Sequence, residues 1–147
     1  MFYMQEFELV NDEGWVLALP FDLEGGTQGA TVAEAMEMAG DWLRDEVISH
    51  LEAGQELPST TFGNDPVQNG RVVLVGVYAS LSDVPSMSAA EAAEMLGVSR
   101  PRVSKMIETG MLRGWKEGRN TRVSVESVEL RRASEHSAGR PKKTIAA

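Results

Sequence analysis

The chain has 147 residues, 42% of them hydrophobic and 24% charged, with no cysteine and a formal net charge of −8. That length makes one ordinary domain or two small ones, and the missing cysteine excludes a disulfide framework, a zinc-thiolate site and a thiol nucleophile. No apolar run approaches the ~20 residues needed to span a bilayer.

The opening residues, Met-Phe-Tyr-Met-Gln-Glu, are acidic rather than basic, so no signal peptide is expected and the chain reads as cytoplasmic. Its charge is unevenly placed. Residues 1–86 hold 15 Asp and Glu against only Arg44 and Arg71, whereas residues 87–147 hold 12 Lys and Arg against seven Asp and Glu. An acidic module suits a basic partner, and a basic module suits phosphates. Two small cores are each marginal alone, so a homodimer or higher homo-oligomer is expected.

In chain order, residues 2–10 alternate, with Tyr3, Gln5, Phe7 and Leu9 on one face and Glu6 and Glu8 on the other, as in a half-buried strand. Asn11-Asp12-Glu13-Gly14 signals a hairpin turn, Trp15–Leu19 a second strand, and Pro20 its end. A Gly-rich loop leads to a short strand near 26–29. Thr31-Val-Ala-Glu34 is a capping box. The helix it opens carries Val32, Ala35, Met36, Ala39, Trp42, Leu43, Val47, Ile48 and Leu51 at helical spacing, with Glu37, Asp41, Asp45 and Glu52 opposite. Gly54 stops it. Residues 59–70 are a polar loop, and the β-branched run Arg71–Tyr78 is predicted as a central, buried strand.

The elements so far give an α+β unit with the order β-β-β-α-β. Gly14-Trp15, Pro20, Gly25-Gly26, Thr31-x-x-Glu34-Ala35 and a long helix ending in Gly54 and Leu57-Pro58 resemble, in order and spacing, the N-terminal domain of HicB-type antitoxins. The resemblance covers residues 4–80. It implies a degenerate, partial ribonuclease H-like fold that is not itself a nuclease but binds a small basic ribonuclease toxin of the HicA type. The acidic turns at Asp12, Glu13, Asp22 and Glu24, and the acidic helix face at Glu37, Asp41 and Asp45, are the toxin-contact candidates.

Residues 81–86 read as a linker. Ser88-Ala-Ala-Glu91 is a second capping box, opening a short helix that Gly97 breaks. Ser99 caps the next helix, Pro101 sits in its first turn, and Val103, Met106 and Ile107 face inward. Two short helices joined through Gly97-Val98-Ser99 make a helix-turn-helix. Residues 112–116 and 121–124 are strand candidates around a wing at Glu117–Asn120, and a third helix begins near Ser124. The stretch from Ser88 to Val103 is similar to the excisionase and MerR-like class, a resemblance that covers residues 86–133.

Within this winged helix-turn-helix, Arg102 and Lys105 are expected to reach major-groove edges, with Ser104 beside them. Ser99 and Arg100 sit at a helix N-terminus that favours a phosphate, and Arg119, Asn120 and Arg122 on the wing would contact backbone or minor groove. Glu108 and Glu117 count against this, since both would sit near phosphates. The alternative is a solvated basic face on a fold reused for protein contacts.

The expected layout is residues 1–80 as the acidic toxin-binding domain, 81–86 as linker, 87–133 as the DNA-binding domain, and 134–147 as a flexible basic tail with Lys142 and Lys143. Together the two resemblances imply an antitoxin that neutralises its toxin and, by binding operator DNA, represses its own operon. Better-known members of the HicB family carry other DNA-binding domains, so their dimer geometry does not transfer. The runner-up is a stand-alone regulator whose acidic domain senses a ligand or oligomerises. A third reading is a phosphodiesterase acting on RNA. The two histidines, His50 and His136, are solitary, and no phosphate loop, nucleophile elbow or dinucleotide fingerprint occurs, so neither enzyme activity, metal nor cofactor is expected.

Overall fold

The computed structural model describes residues 1–138. The chain divides into two compact units, the first Met1–Leu81 and the second beginning at Ser82. Each is a mixed α+β body with its own core.

In the first unit, β1 (Phe2–Asp12), β2 (Trp15–Pro20), β3 (Thr27–Gly29) and β4 (Arg71–Tyr78) form one antiparallel sheet in the order β3-β2-β1-β4. The β1–β2 hairpin closes on just Glu13 and Gly14, both at positive φ, the two-residue turn whose twist matches paired strands. Helix α1 (Val32–Glu52) lies on one sheet face, and the Thr31 hydroxyl accepts the Glu34 N–H at 3.1 Å to start it. Its buried residues Ala35, Ala39, Leu43 and Val47 recur every fourth position, so one stripe meets Phe7, Leu9, Val16, Ala18, Val75 and Val77 of the sheet. Phe7 meets Trp42 edge-on, ring centroids 5.8 Å apart. His50 ends the helix with Nδ1 2.8 Å from the Glu46 carbonyl, a local structural bond.

Two expectations for this unit fail. Arg71–Tyr78 is not a central strand but the sheet edge. Its continuous apolar run promised burial on both faces, yet only the helix-side Val75 and Val77 are buried, while Leu74 and Tyr78 are exposed. Glu6 and Glu8 were expected to face solvent and are instead buried. The loop expected to be merely polar folds back over them. Glu6 accepts hydrogen bonds from the N–H groups of Gly63 and Asn64, and Glu8 accepts from Val67, Gln68 and Gly70, all at 2.8–3.1 Å. A loop without regular structure must satisfy its N–H groups somewhere, and two carboxylates on the sheet supply the acceptors.

Burial raises the Glu8 carboxyl pKa, and the three backbone donors together lower it further, so the net value lies below the ordinary 4.5. A carboxylate whose folded pKa is depressed contributes stability that is present above its unfolded pKa and is lost as pH falls through the folded one. The Glu8 side of the loop should therefore stay clasped until the pH falls below 4.5. An NMR titration should show the Val67, Gln68 and Gly70 amides moving together with a midpoint below 4.5. A midpoint at or above the ordinary value would contradict the clasp.

A turn of 3-10 helix, Leu81–Asp83, begins at the last residue of the first unit. The expected linker is thus partly structured, since Ser86 already belongs to β5 (Ser86–Ser88). Helices α2 (Ala89–Leu96) and α3 (Arg100–Glu108) precede β6 (Gly114–Glu117), β7 (Asn120–Ser124) and α4 (Val125–Ala138). The small sheet runs β5-β7-β6, all antiparallel. Helix α4 continues through 134–138, where the flexible tail was expected to start; the remainder of that tail, with Lys142 and Lys143, lies outside the described residues.

Candidate nucleic-acid interface

The core of the second unit dictates which side of α3 is free. Ala92 and Ala93 of α2, Val103 and Met106 of α3, Leu112, Val123 and Val128 are buried together. Small residues on α2 let the two helices approach closely. The Ser88 and Ser99 hydroxyls accept the N–H groups of Glu91 and Arg102 at 3.1 and 3.2 Å, capping each helix. Between them Gly97 adopts φ 65°, the left-handed conformation that the turn needs. The Val98 N–H reaches back to the Ala93 carbonyl at 3.0 Å and the Gly97 N–H to Glu94 at 3.3 Å, a Schellman closure.

With Val103 and Met106 inward, α3 presents Arg100, Arg102, Ser104 and Lys105 to solvent. Arg100 and Arg102 have no ion-pair or hydrogen-bond partner for their guanidinium groups among the described residues. Lys105 is less free, because Glu108 stands 3.7 Å away, one turn on. Both groups are well exposed, so the pair is weak and a phosphate or base edge can displace it. The Ser99 hydroxyl oxygen accepts in capping, which leaves its O–H as a donor for a phosphate oxygen.

The wing is the β6–β7 hairpin, turning at Gly118-Arg119. Its base is closely packed: a Cβ on Gly114 would lie 2.8 Å from the Arg122 carbonyl of the paired strand and 2.6 Å from Ile107 Cδ1 of α3, so glycine lets the strand sit here. Arg119 and Asn120 are exposed at the tip, and Arg119 has no partner among the described residues. Arg122 differs from the expectation. Its Nε donates to Ser86 Oγ at 3.0 Å, its Nη2 donates to the Ser86 carbonyl at 2.9 Å, and Glu117 lies 3.8 Å away. Two of the guanidinium's five N–H donors thus hold β5 to β7. Lys116 donates to Thr121 at 2.9 Å along the wing. Arg132 of α4, which the sequence pattern did not single out, is exposed and unpaired among the described residues.

In the acidic unit the candidate carboxylates do not converge. Asp12 and Glu13 lie at one end of β2, while Asp22 and Glu24 follow its other end, about 20 Å away at ~3.3 Å per residue. Asp22 is also occupied, accepting from the Thr61 N–H and hydroxyl at 2.8 Å as part of the loop clasp. Glu37, Asp41 and Asp45 do form one stripe along the exposed side of α1, opposite the residues it buries. No group of three or more His, Cys, Asp or Glu residues is arranged to hold a metal ion among the described residues. A cleft of about 460 Å³ at one end of the sheet, lined by Leu9, Val16, Val32, Asn69 and Arg71 among others, is open to solvent. No helix among the described residues is long and apolar enough to cross a membrane.

Comparison with curated proteins gives no match. Among solved structures, one chain of a toxin-antitoxin complex from Streptococcus pneumoniae is similar at 16% identity, covering 75% of this chain and 97% of that one, with a TM-score of 0.42. A likeness that distant fixes neither fold nor partner. Residues 86–134 match the family described as the helix-turn-helix domain. Caps, left-handed turn, solvent-facing arginines and family match agree, and the second unit of this chain carries a helix-turn-helix domain, a DNA-binding module.

Proposed function

We propose that the chain is a DNA-binding antitoxin whose second unit binds the operator of its own operon while its acidic first unit holds and silences a small basic ribonuclease of the HicA type. The observation that carries the DNA half is the pair of unpartnered guanidinium groups, Arg100 and Arg102, at the capped N-terminus of α3. At this N-terminus Pro101 has no N–H and the Arg102 N–H is taken by the Ser99 hydroxyl, so the two guanidinium cations are what attract phosphate, and an arginine in the major groove can reach guanine. Ser99 and Arg100 would hold backbone, Arg102 and Lys105 would read bases with Ser104 beside them, and Arg119 and Asn120 would extend the footprint from the wing. A single short recognition helix covers few base pairs, so two copies on two half-sites are required.

The toxin half rests on charge. The first unit is strongly acidic, and its α1 stripe of Glu37, Asp41 and Asp45 is a continuous face for a cationic protein. In this reading the unit works by covering the toxin and performs no chemistry. A second reading, a stand-alone regulator that senses a small molecule, draws on the open cleft beside Arg71.

Affinity purification of the tagged chain at low salt, with mass spectrometry of what co-elutes, separates the two. A stoichiometric basic protein that is released by added salt is the expected result. No such protein, with DNA binding retained, would favour the regulator. Arg102→Ala should weaken specific DNA binding by about 1–3 kcal/mol and leave the co-eluting protein bound. Equal loss of both would contradict the division of labour between the units.

A further inference from the structure

The face of the first unit's sheet that α1 does not cover is built from even-numbered positions of β1 and β4, which the strand register sets side by side: Phe2 opposite Tyr78, Met4 opposite Gly76, Glu6 opposite Leu74 and Glu8 opposite Val72. Gly76 has no side chain, and the Phe2 ring occupies the place its Cβ would take, in tilted contact with Tyr78 at a centroid distance of 4.8 Å. Glu6 and Glu8 do not reach the surface here, because the clasped loop covers them. The same loop carries two more exposed apolar residues, Phe62, next in the chain to the Glu6 donor Gly63, and Val67, whose own N–H donates to Glu8. Phe2, Met4, Phe62, Val67, Leu74 and Tyr78 are all exposed, from 37% at Met4 to 79% at Val67.

We propose that this face is where a second copy of the chain docks, sheet face to sheet face about a two-fold axis. Four observations bear on the occupant. The strand β4 has the continuous apolar pattern of one buried on both faces, yet only its helix side is buried within the chain. Side chains of these sizes at these exposures offer roughly 600 Å² of apolar surface, so two copies would bury about 1,200 Å², enough for a specific interface. The acidic stripe lies on α1, across the sheet from this face, and the carboxylates beneath the face, Glu6 and Glu8, are shielded by backbone N–H donors, while Asp65 stands exposed on the loop between Phe62 and Val67. A cationic partner therefore has its charge complement on the helix side, whereas the sheet side presents what a homodimer interface uses. Finally, addition of a strand to the β4 edge is obstructed at one end, where Arg44 Nε donates to the Tyr78 carbonyl at 3.2 Å. A two-fold contact would set the Phe2–Tyr78 pair of one copy against the Phe62–Val67 end of the other, a self-complementary fit. Such a dimer stands whether or not the acidic unit also holds a toxin.

Sedimentation of the full chain at micromolar concentration tests it. The wild type should be dimeric. Because each copy is strongly acidic, added salt should tighten the dimer, the opposite of what it does to a charge-steered complex. Leu74→Asp places a charge at the centre of the face and should raise the dissociation constant roughly 100-fold or more. Phe62→Ser, on the loop and outside the sheet, should weaken the dimer in the same direction without touching strand pairing. Asp41→Asn on α1 should leave it intact. A monomeric wild type, or a dimer that survives both Leu74→Asp and Phe62→Ser, overturns the proposal, the latter by placing the interface elsewhere.

Discussion

Phe7→Ala should unfold the acidic unit at temperatures where the DNA-binding unit still stands. Phe7 is fully buried in β1, paired on both sides by β2 and β4, and its ring meets Trp42 of α1. It is among the largest fully buried side chains, so truncation loses both transfer free energy and packing, about 3–5 kcal/mol. At roughly 0.05–0.15 kcal/mol per residue, a unit of this size has only about 4–12 kcal/mol in total. Calorimetry of the full chain should show two transitions, with the acidic unit's lowered by more than about 10 °C and the other unmoved. One joint transition that shifts as a whole would mean that the two cores do not melt independently.

Operator affinity should collapse with salt. Each copy has three arginines free among the described residues on α3 and the wing: Arg100, Arg102 and Arg119. With Arg102 turned to the bases, Arg100 and Arg119 of a dimer on DNA would release counterions from about four phosphates, a slope of log K against log salt near −4. Raising salt from about 50 to 200 mM should then cost about a hundredfold or more in binding, or ~3 kcal/mol. Fluorescence anisotropy on an operator fragment checks this. A slope near zero would remove α3 as a phosphate-contacting element. A slope about two units shallower in Arg119→Ala would assign one contact per copy to the wing tip. The salt dependence also has a diagnostic sign: DNA binding should weaken with salt while the proposed sheet-face dimer strengthens.

The two units differ in how much of each could be read in one dimension. The helix-turn-helix was legible because its signals are local. Ser88 and Ser99 cap within three residues, Gly97 turns the chain at a single position, and the 3.6-residue period assigns Val103 and Met106 to the core. Local rules also placed Arg100 and Arg102 outside. Arg122 escaped them because its partner, Ser86, is 36 residues away in a strand that reads as linker. Three-residue strands carry almost no periodic signal, and β5 exists only because β7 pairs with it.

In the acidic unit, the β-β-β-α-β order, a hairpin turn within Asn11–Gly14 and the helical spacing that includes the buried stripe of α1 follow from period, caps and turn chemistry in the chain itself. Charge segregation into an acidic and a basic half is likewise a property of composition. What the pattern could not contain is where Glu6 and Glu8 find their donors, 57 to 62 residues downstream, and which strand would be left at the edge of the sheet. Alternation says that two residues share a face; it does not say what covers that face. Burial of a carboxylate depends on donors brought from far along the chain, and exposure of an apolar strand depends on which neighbour is missing. Both are long-range pairings, settled only when the sheet, its helix and its loop had closed on one another.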